Sequence, residues 1–194
     1  MGLNMTDPQA RPTTEVSAVI LASMDRMFDQ LITRLDGLTD DEYLWEPVAD
    51  MWSVRQRADG SSVVDGAGQR DIDPPPVTTI AWRLWHIAID CFDDYARRFD
   101  GDDTAAPAAW TTSADEAVEI LKQRWASYRS VVASRPWWDP LGESWEAWAQ
   151  HSTADMAMHA SNELVHHGAE IGLLRDLHRS ESLRFASAAD KAGH

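Results

Sequence analysis

Apolar residues recur every three or four positions along four long stretches of this chain, and no run alternates apolar and polar residues as a half-buried strand does. The first stretch carries Val16, Ile20, Met24, Met27, Phe28, Leu31 and Leu35. Thr13 or Thr14 can cap it, and it ends near Gly37. The second opens at Thr78 or Thr79, carries Ile80, Leu84, Ile87, Cys91 and Tyr95, and ends near Gly101. The third is introduced by Ser113 with Glu116 three residues on, a capping-box pattern, and is stopped by Pro136. Its apolar positions are Val118, Leu121, Trp125, Tyr128, Val131 and Val132. The fourth starts at Ser152 or Thr153 and carries Met156, Ala160, Ile171 and Leu174 to about Leu177. Each stretch must bury one face, and four helices do so by packing on one another. The pattern predicts an all-α domain, a four-helix bundle.

The connections are less regular. Thr39-Asp40-Asp41-Glu42 reads as a second capping box before a short helix ended by Pro47. From Met51 to Pro76 glycines, serines and prolines interrupt any period, which predicts a long loop between the first two long helices. Trp52 is expected to tuck under the domain, and Ala58–Asp73 to be exposed. Trp137–Gln150 holds four tryptophans, a proline and a glycine, and reads as a loop with one or two helical turns. The expected organisation is a leader over 1–12, the bundle over 13–178 and a polar tail over 179–194.

Charge narrows the partners. Lys and Arg number 17 against 32 Asp and Glu, a formal net charge of −15. Nucleic acid and anionic membrane surfaces both need a basic face, so neither is expected as a partner. No apolar run approaches the ~20 residues of a membrane span. Met1–Pro12 lacks the apolar core of a signal peptide, so a cytoplasmic setting is expected. Cys91, the single cysteine, falls on an apolar helical face and reads as a buried small hydrophobe.

The chemistry concentrates in Asn162–Glu170. Residues four apart in a helix are offset by about 40° and about 6 Å, so Glu163 and His167 point the same way one turn apart. They share a stripe with Met156, Ile171 and Leu174, which turns them inward, and a buried carboxylate needs a partner or a metal. His86, between Trp82, Trp85 and Ile89 on another inward face, can supply a third donor. Two imidazoles and a carboxylate suit a divalent ion such as zinc, iron, manganese or nickel. Glu163 with His166, at i+3, is the rival register. His159 reads as a fourth ligand, an orienting residue or a core histidine, and Asp90 as a surface residue or an orienter of His86.

The helix with Trp-Arg-Leu-Trp-His-Ile, followed much later by Asn-Glu-Leu-Val-His-His-Gly-Ala-Glu-Ile-Gly, resembles the DinB-like superfamily, which includes the mycothiol-dependent maleylpyruvate isomerases. Leu-Trp-Glu-Pro-Val and Met-Trp-Ser-Val-Arg near residues 44–55 look like a first-loop signature of one branch. The resemblance covers roughly Val16 to Leu177. It implies a four-helix bundle with a three-residue metal site, usually zinc or nickel, and often a homodimer. Many members use three histidines. Glu163 departs from that and is similar to the isomerase branch, so the implied ligands are His86, Glu163 and His167. The resemblance further implies a low-molecular-weight thiol as cosubstrate, in S-transfer or isomerisation.

Three functions follow as expectations: a metal- and thiol-dependent enzyme acting on a small molecule, a metal-binding bundle without catalysis, and a metal-free structural or ligand-binding bundle. For the first, Trp82 and Trp85, with Trp52 or Trp148, are expected to wall the pocket, and Arg83 or Arg55 to grip a substrate carboxylate.

Overall fold

A computed structural model describes residues 10–192 apart from 70, 71, 103, 106 and 108, and side chains within 16–182. The described residues form six α-helices and one short hairpin: α1 (Ala10–Leu35), α2 (Asp40–Tyr43), β1 (Val54–Gln56), β2 (Ser62–Val64), α3 (Ile80–Trp85), α4 (Asp94–Phe99), α5 (Ala114–Ser134) and α6 (Thr153–Ala192). Between α3 and α4 the chain stays helical but widens into a π-helical stretch, His86–Asp93, in which the Asp94 amide reaches back to the Ile89 carbonyl. Glu143–Trp148 forms a short 3₁₀ segment. The architecture is the expected all-α bundle.

The four apolar stripes meet in one core. Met24, Phe28 and Leu31 of α1 face Leu121, Trp125 and Tyr128 of α5, all buried. Phe28 stacks on Trp125 with ring centroids 4.6 Å apart, and Phe92 of the π stretch stacks on Tyr128 at 5.3 Å. The Tyr128 hydroxyl donates to the Met156 carbonyl of α6 at 3.3 Å, which satisfies a polar group that burial would otherwise penalise. Two ion pairs staple the outside of this core. Arg129 holds Asp25 at 2.7 and 3.0 Å. Arg175 grips Glu42 through two bonds of 2.8 and 3.1 Å and also donates to the Arg34 and Asp36 carbonyls where α1 ends.

Several local expectations need correction. The Thr39 box is half formed: Thr39 Oγ1 accepts from the Glu42 amide, but the Glu42 carboxylate is held by Arg175. Ser113 stands at the start of α5 without a side-chain cap bond; Asp40 Oδ1 accepts from the Ala114 amide at 2.7 Å, and Glu116 accepts from Thr111 rather than reaching back to Ser113. α6 continues through 179–192 as helix rather than stopping near Leu177, since no proline or glycine interrupts Arg179–Lys191. Of the expected leader, residues 1–9 lie outside the described residues and 10–12 belong to α1.

The expected long loop contains order that its short strands concealed. β1 and β2 pair antiparallel with Val54 opposite Val64, both buried. Ala58–Asp73 is therefore exposed only in part. Trp52 is fixed by backbone bonds on both sides, to Val77 and from Thr79. Gly66, at φ +65, lets the chain pass over the Trp52 ring: a Cβ there would meet ring carbons at 2.2 Å. Trp52 in turn lies 6.0 Å from Trp82, whose indole N–H donates to the Asp65 carbonyl at 2.8 Å. The segment thus positions one tryptophan on α3.

Candidate metal centre

That tryptophan reaches the chemistry directly. Trp82 stacks on the His86 imidazole, with centroids 5.2 Å apart and planes 12° from parallel. His86 is the first residue of the π stretch, a backbone form frequent at functional sites. Its Nε2 lies 3.2 Å from Glu163 Oε2 on α6. One turn on, His167 Nε2 lies 3.3 Å from the same oxygen. The two imidazoles meet edge to face, centroids 4.8 Å apart.

These three residues offer one ligand atom each, all within 4.8 Å of one another. A divalent ion bound at ~2.0–2.2 Å separates neighbouring donors by roughly 3.0–3.5 Å. The two N···O distances, 3.2 and 3.3 Å, already have that length. The donor set therefore fits a divalent ion. His166 is left out: its side chain is 60% exposed, stacks on the His167 ring at 4.9 Å and reaches Glu170 Oε1 at 3.4 Å, away from Glu163 and His86. Among the two registers left open by the sequence, His167 is the one brought to Glu163 and His86.

The outward nitrogens are held as well. Asp90, one turn after His86, places Oδ2 3.1 Å from His86 Nδ1. Glu170 Oε2 lies 2.8 Å from His167 Nδ1 and 2.9 Å from Nε of the buried Arg83. A carboxylate on Nδ1 fixes ring orientation and leaves Nε2 toward the shared point, the arrangement that tunes metal-binding histidines. Glu170 was not singled out by the sequence, although its i+3 spacing from His167 puts it in reach.

Electrostatics bind the cluster together. Hydrogen bonds from His167 and then His86 hold the Glu163 carboxyl well below the ordinary carboxylate range, against the opposing effect of burial. Burial disfavours charge on His86, yet the bonds to Asp90 and Glu163 outweigh it and push the imidazole up to about 9. Burial drives the Cys91 thiol upward, the state of an inert buried cysteine.

A cavity of about 540 Å³ opens beside the cluster. Its walls include His86 and Glu163, with Tyr95, Trp145, Trp148 and His159 as an aromatic lining. His159 is a wall residue, packed 5.1 Å from Trp148 and 5.9 Å from Tyr95. Of the expected walls only Trp148 lines the cavity. Trp82, Trp85 and Trp52 lie behind His86, where Trp85 donates to the Pro107 carbonyl. Neither expected arginine faces it: Arg83 is engaged by Glu170, and Arg55 by Glu46, Asp65 and the Met51 carbonyl.

No helix among the described residues is long and apolar enough to cross a membrane. No curated protein matches the chain, and no solved structure does. A family profile, that of the DinB superfamily, matches residues 64–171, which span the π stretch, α5 and all three converging donors. With more than half of its length matched, and with an all-α bundle that brings a histidine of one helix to a Glu–His pair of another, the chain belongs to the DinB superfamily.

Proposed function

We propose that this protein is a metal-dependent enzyme, with His86, Glu163 and His167 holding one zinc or nickel ion and a low-molecular-weight thiol as cosubstrate in an S-transfer or isomerisation reaction. The observation that carries the metal part is the aim of both Nε2 atoms at one Glu163 oxygen, at the edge of a cavity large enough for a small molecule. The thiol part rests on the resemblance to relatives that use such cosubstrates. A bound divalent ion would supply Lewis acidity, lowering the pKa of a thiol so that its anion forms near neutral pH.

The chain's own residues supply the rest. Asp90 and Glu170 hold the two imidazoles in the orientation that binding needs. Trp82 covers one face of His86 and excludes water there. The aromatic wall gives an organic substrate apolar area to bury. A homodimer belongs to the same proposal, and light scattering on the purified chain tests it.

Metal content of untagged protein is the first test. About one ion per chain is expected, lost in His86→Ala and in Glu163→Ala. An ion at 100 times its Kd stabilises by about 2.7 kcal/mol, which raises Tm by roughly 5–11 °C for a chain of this size. No ion and no shift would leave the metal-free bundle. A held ion with no consumption of any thiol and electrophile pair, in wild type and His167→Ala alike, would favour a non-catalytic staple between the π stretch and α6.

A further inference from the structure

The cavity beside the cluster has a charge pattern of its own. Beside His86 and Glu163 of the converging cluster, its lining carries Asp90, Asp94 and Glu146 and one guanidinium, Arg98. That cation is engaged: Arg98 Nε donates to Asp94 Oδ2 at 2.8 Å. Arg97 approaches the other Asp94 oxygen at 3.1 Å and sits outside the lining. A carboxylate, phosphate or sulfonate entering here finds no available guanidinium or ammonium. Asp94 is paired with Arg98 and Asp90 with His86, so Glu146 is the carboxylate left facing an incoming anion, and desolvating an anion beside it with no guanidinium to receive it is costly.

The remaining surface suits the opposite charge. Trp148, His159, Tyr95 and Trp145 form a continuous aromatic wall, with neighbouring centroids 5.1, 5.9 and 6.3 Å apart. Trp145 is buried and fixed, while Trp148 presents 38% of its surface. A cation over an indole or phenol face within about 6 Å is attracted by the ring, more strongly once desolvated. Aromatic walls with carboxylates at the rim are the means by which ammonium groups on apolar bodies are recognised. Glu146 stands on that rim beside Trp145 and Trp148.

We propose that this cavity selects ligands carrying an ammonium group on an apolar body and rejects anionic ones. Joined to the thiol reading above, on which this second step rests, the selection makes the cosubstrate an aminothiol rather than an acidic thiol. The thiol sulfur would lie toward Glu163 and His86, and the ammonium toward Trp148 and Glu146.

The experiment has two arms on the full chain. Calorimetric titration with benzyltrimethylammonium, benzyl alcohol and benzenesulfonate (a poor metal ligand) reads the charge preference without any thiol. The cation is expected to bind at least tenfold tighter than the sulfonate. Trp148→Ala should weaken the cation about fivefold or more, and Glu146→Lys, at an exposed position, should narrow or invert the preference with Tm unchanged. Equal or tighter binding of the sulfonate, or no binding of any probe, overturns the proposal. In the second arm zinc-loaded protein is titrated with cysteamine and 3-mercaptopropionate. Preference for cysteamine supports the aminothiol assignment. Binding of both without preference overturns it and leaves the thiol reading standing. Binding of neither thiol, with the ammonium probe still bound, refutes the thiol reading and keeps the cation site.

Discussion

Metal binding to this cluster should compete with a proton on His86, and the competition has a magnitude. In the metal-free protein His86 sits between two carboxylates, 3.1 Å from Asp90 and 3.2 Å from Glu163. Its pKa is raised from 6.5 to about 9, so it is an imidazolium at neutral pH. A metal needs the neutral ring. At about pH 7 only about one molecule in a hundred offers it. The apparent affinity for zinc or nickel should therefore rise about tenfold per pH unit from about pH 7, flattening near 9, with close to one proton released per ion.

The same shift acts on the metal-free fold with the opposite sign. A raised folded pKa contributes stability that is fully present below 6.5 and is lost as pH rises through about 9. The interval corresponds to roughly 3 kcal/mol. Glu163 shows the other end of one interaction, so its energy is counted once; its depressed carboxyl contributes stability present above about 4.5 and lost as pH falls. Raising the pH thus weakens the empty bundle while strengthening the loaded one, and the metal-induced rise in Tm should grow with pH. Calorimetric titration of zinc in buffers of different ionisation enthalpy, at two pH values between about 7 and 8, measures both slope and proton count. An affinity flat over that range, with no buffer-dependent heat, would refute the reasoning.

Other perturbations follow from the contacts around the cluster. Glu170→Gln should lower metal affinity about 10–100-fold while the protein stays folded, because it removes the charge that orients His167; chelator competition reads this, and an unchanged affinity would deny Glu170 that role. Glu42→Ala strips the buried partner from Arg175 and should cost on the order of 3 kcal/mol in denaturant melts. Leu121→Ala, at a fully buried core position, should cost about 2–5 kcal/mol without changing the metal affinity. Gly66→Ala should lower Tm, since a Cβ at φ +65 would strike Trp52 at 2.2 Å, and it should weaken metal binding through Trp82 if the tryptophans transmit the shift.

The bundle was legible because a buried face repeats itself: each long helix spells its core side several times over, so Met24, Phe28 and Leu31 or Leu121, Trp125 and Tyr128 outvote any single polar residue. Glu163 and His167 were legible for a related reason. One turn of helix is short-range geometry, and His166, about 100° round the helix, turns to the outside. What sequence could not show is long-range or backbone-borne. Arg83 reads as a free cation until Glu170, on another helix, is brought to 2.9 Å. Ser113 reads as a capping side chain, yet the side-chain bond to the first amide of α5 comes from Asp40, seventy-four residues upstream of Ala114. The π stretch leaves no mark in the apolar spacing, because its extra carbonyl-to-amide step changes the aim of side chains rather than their polarity.

The segment between the first two long helices gives the sharpest case, because its lack of period left its relation to the site open. Its hairpin supports the far side of His86, through Gly66, Trp52 and Trp82 in sequence. None of the described residues from Met51 to Thr78 lines the cavity. The cavity's outer wall comes from Trp145–Trp148 of the 3₁₀ segment. Two tryptophan-bearing segments therefore act in different places: one packs Trp82 on His86, and the other walls the cavity that His86 borders. Substitutions in the hairpin should change how tightly the metal is held, and substitutions in the 3₁₀ segment should change what binds beside it. A hairpin variant that altered ligand charge preference at full metal loading would mean that the two places are not separate.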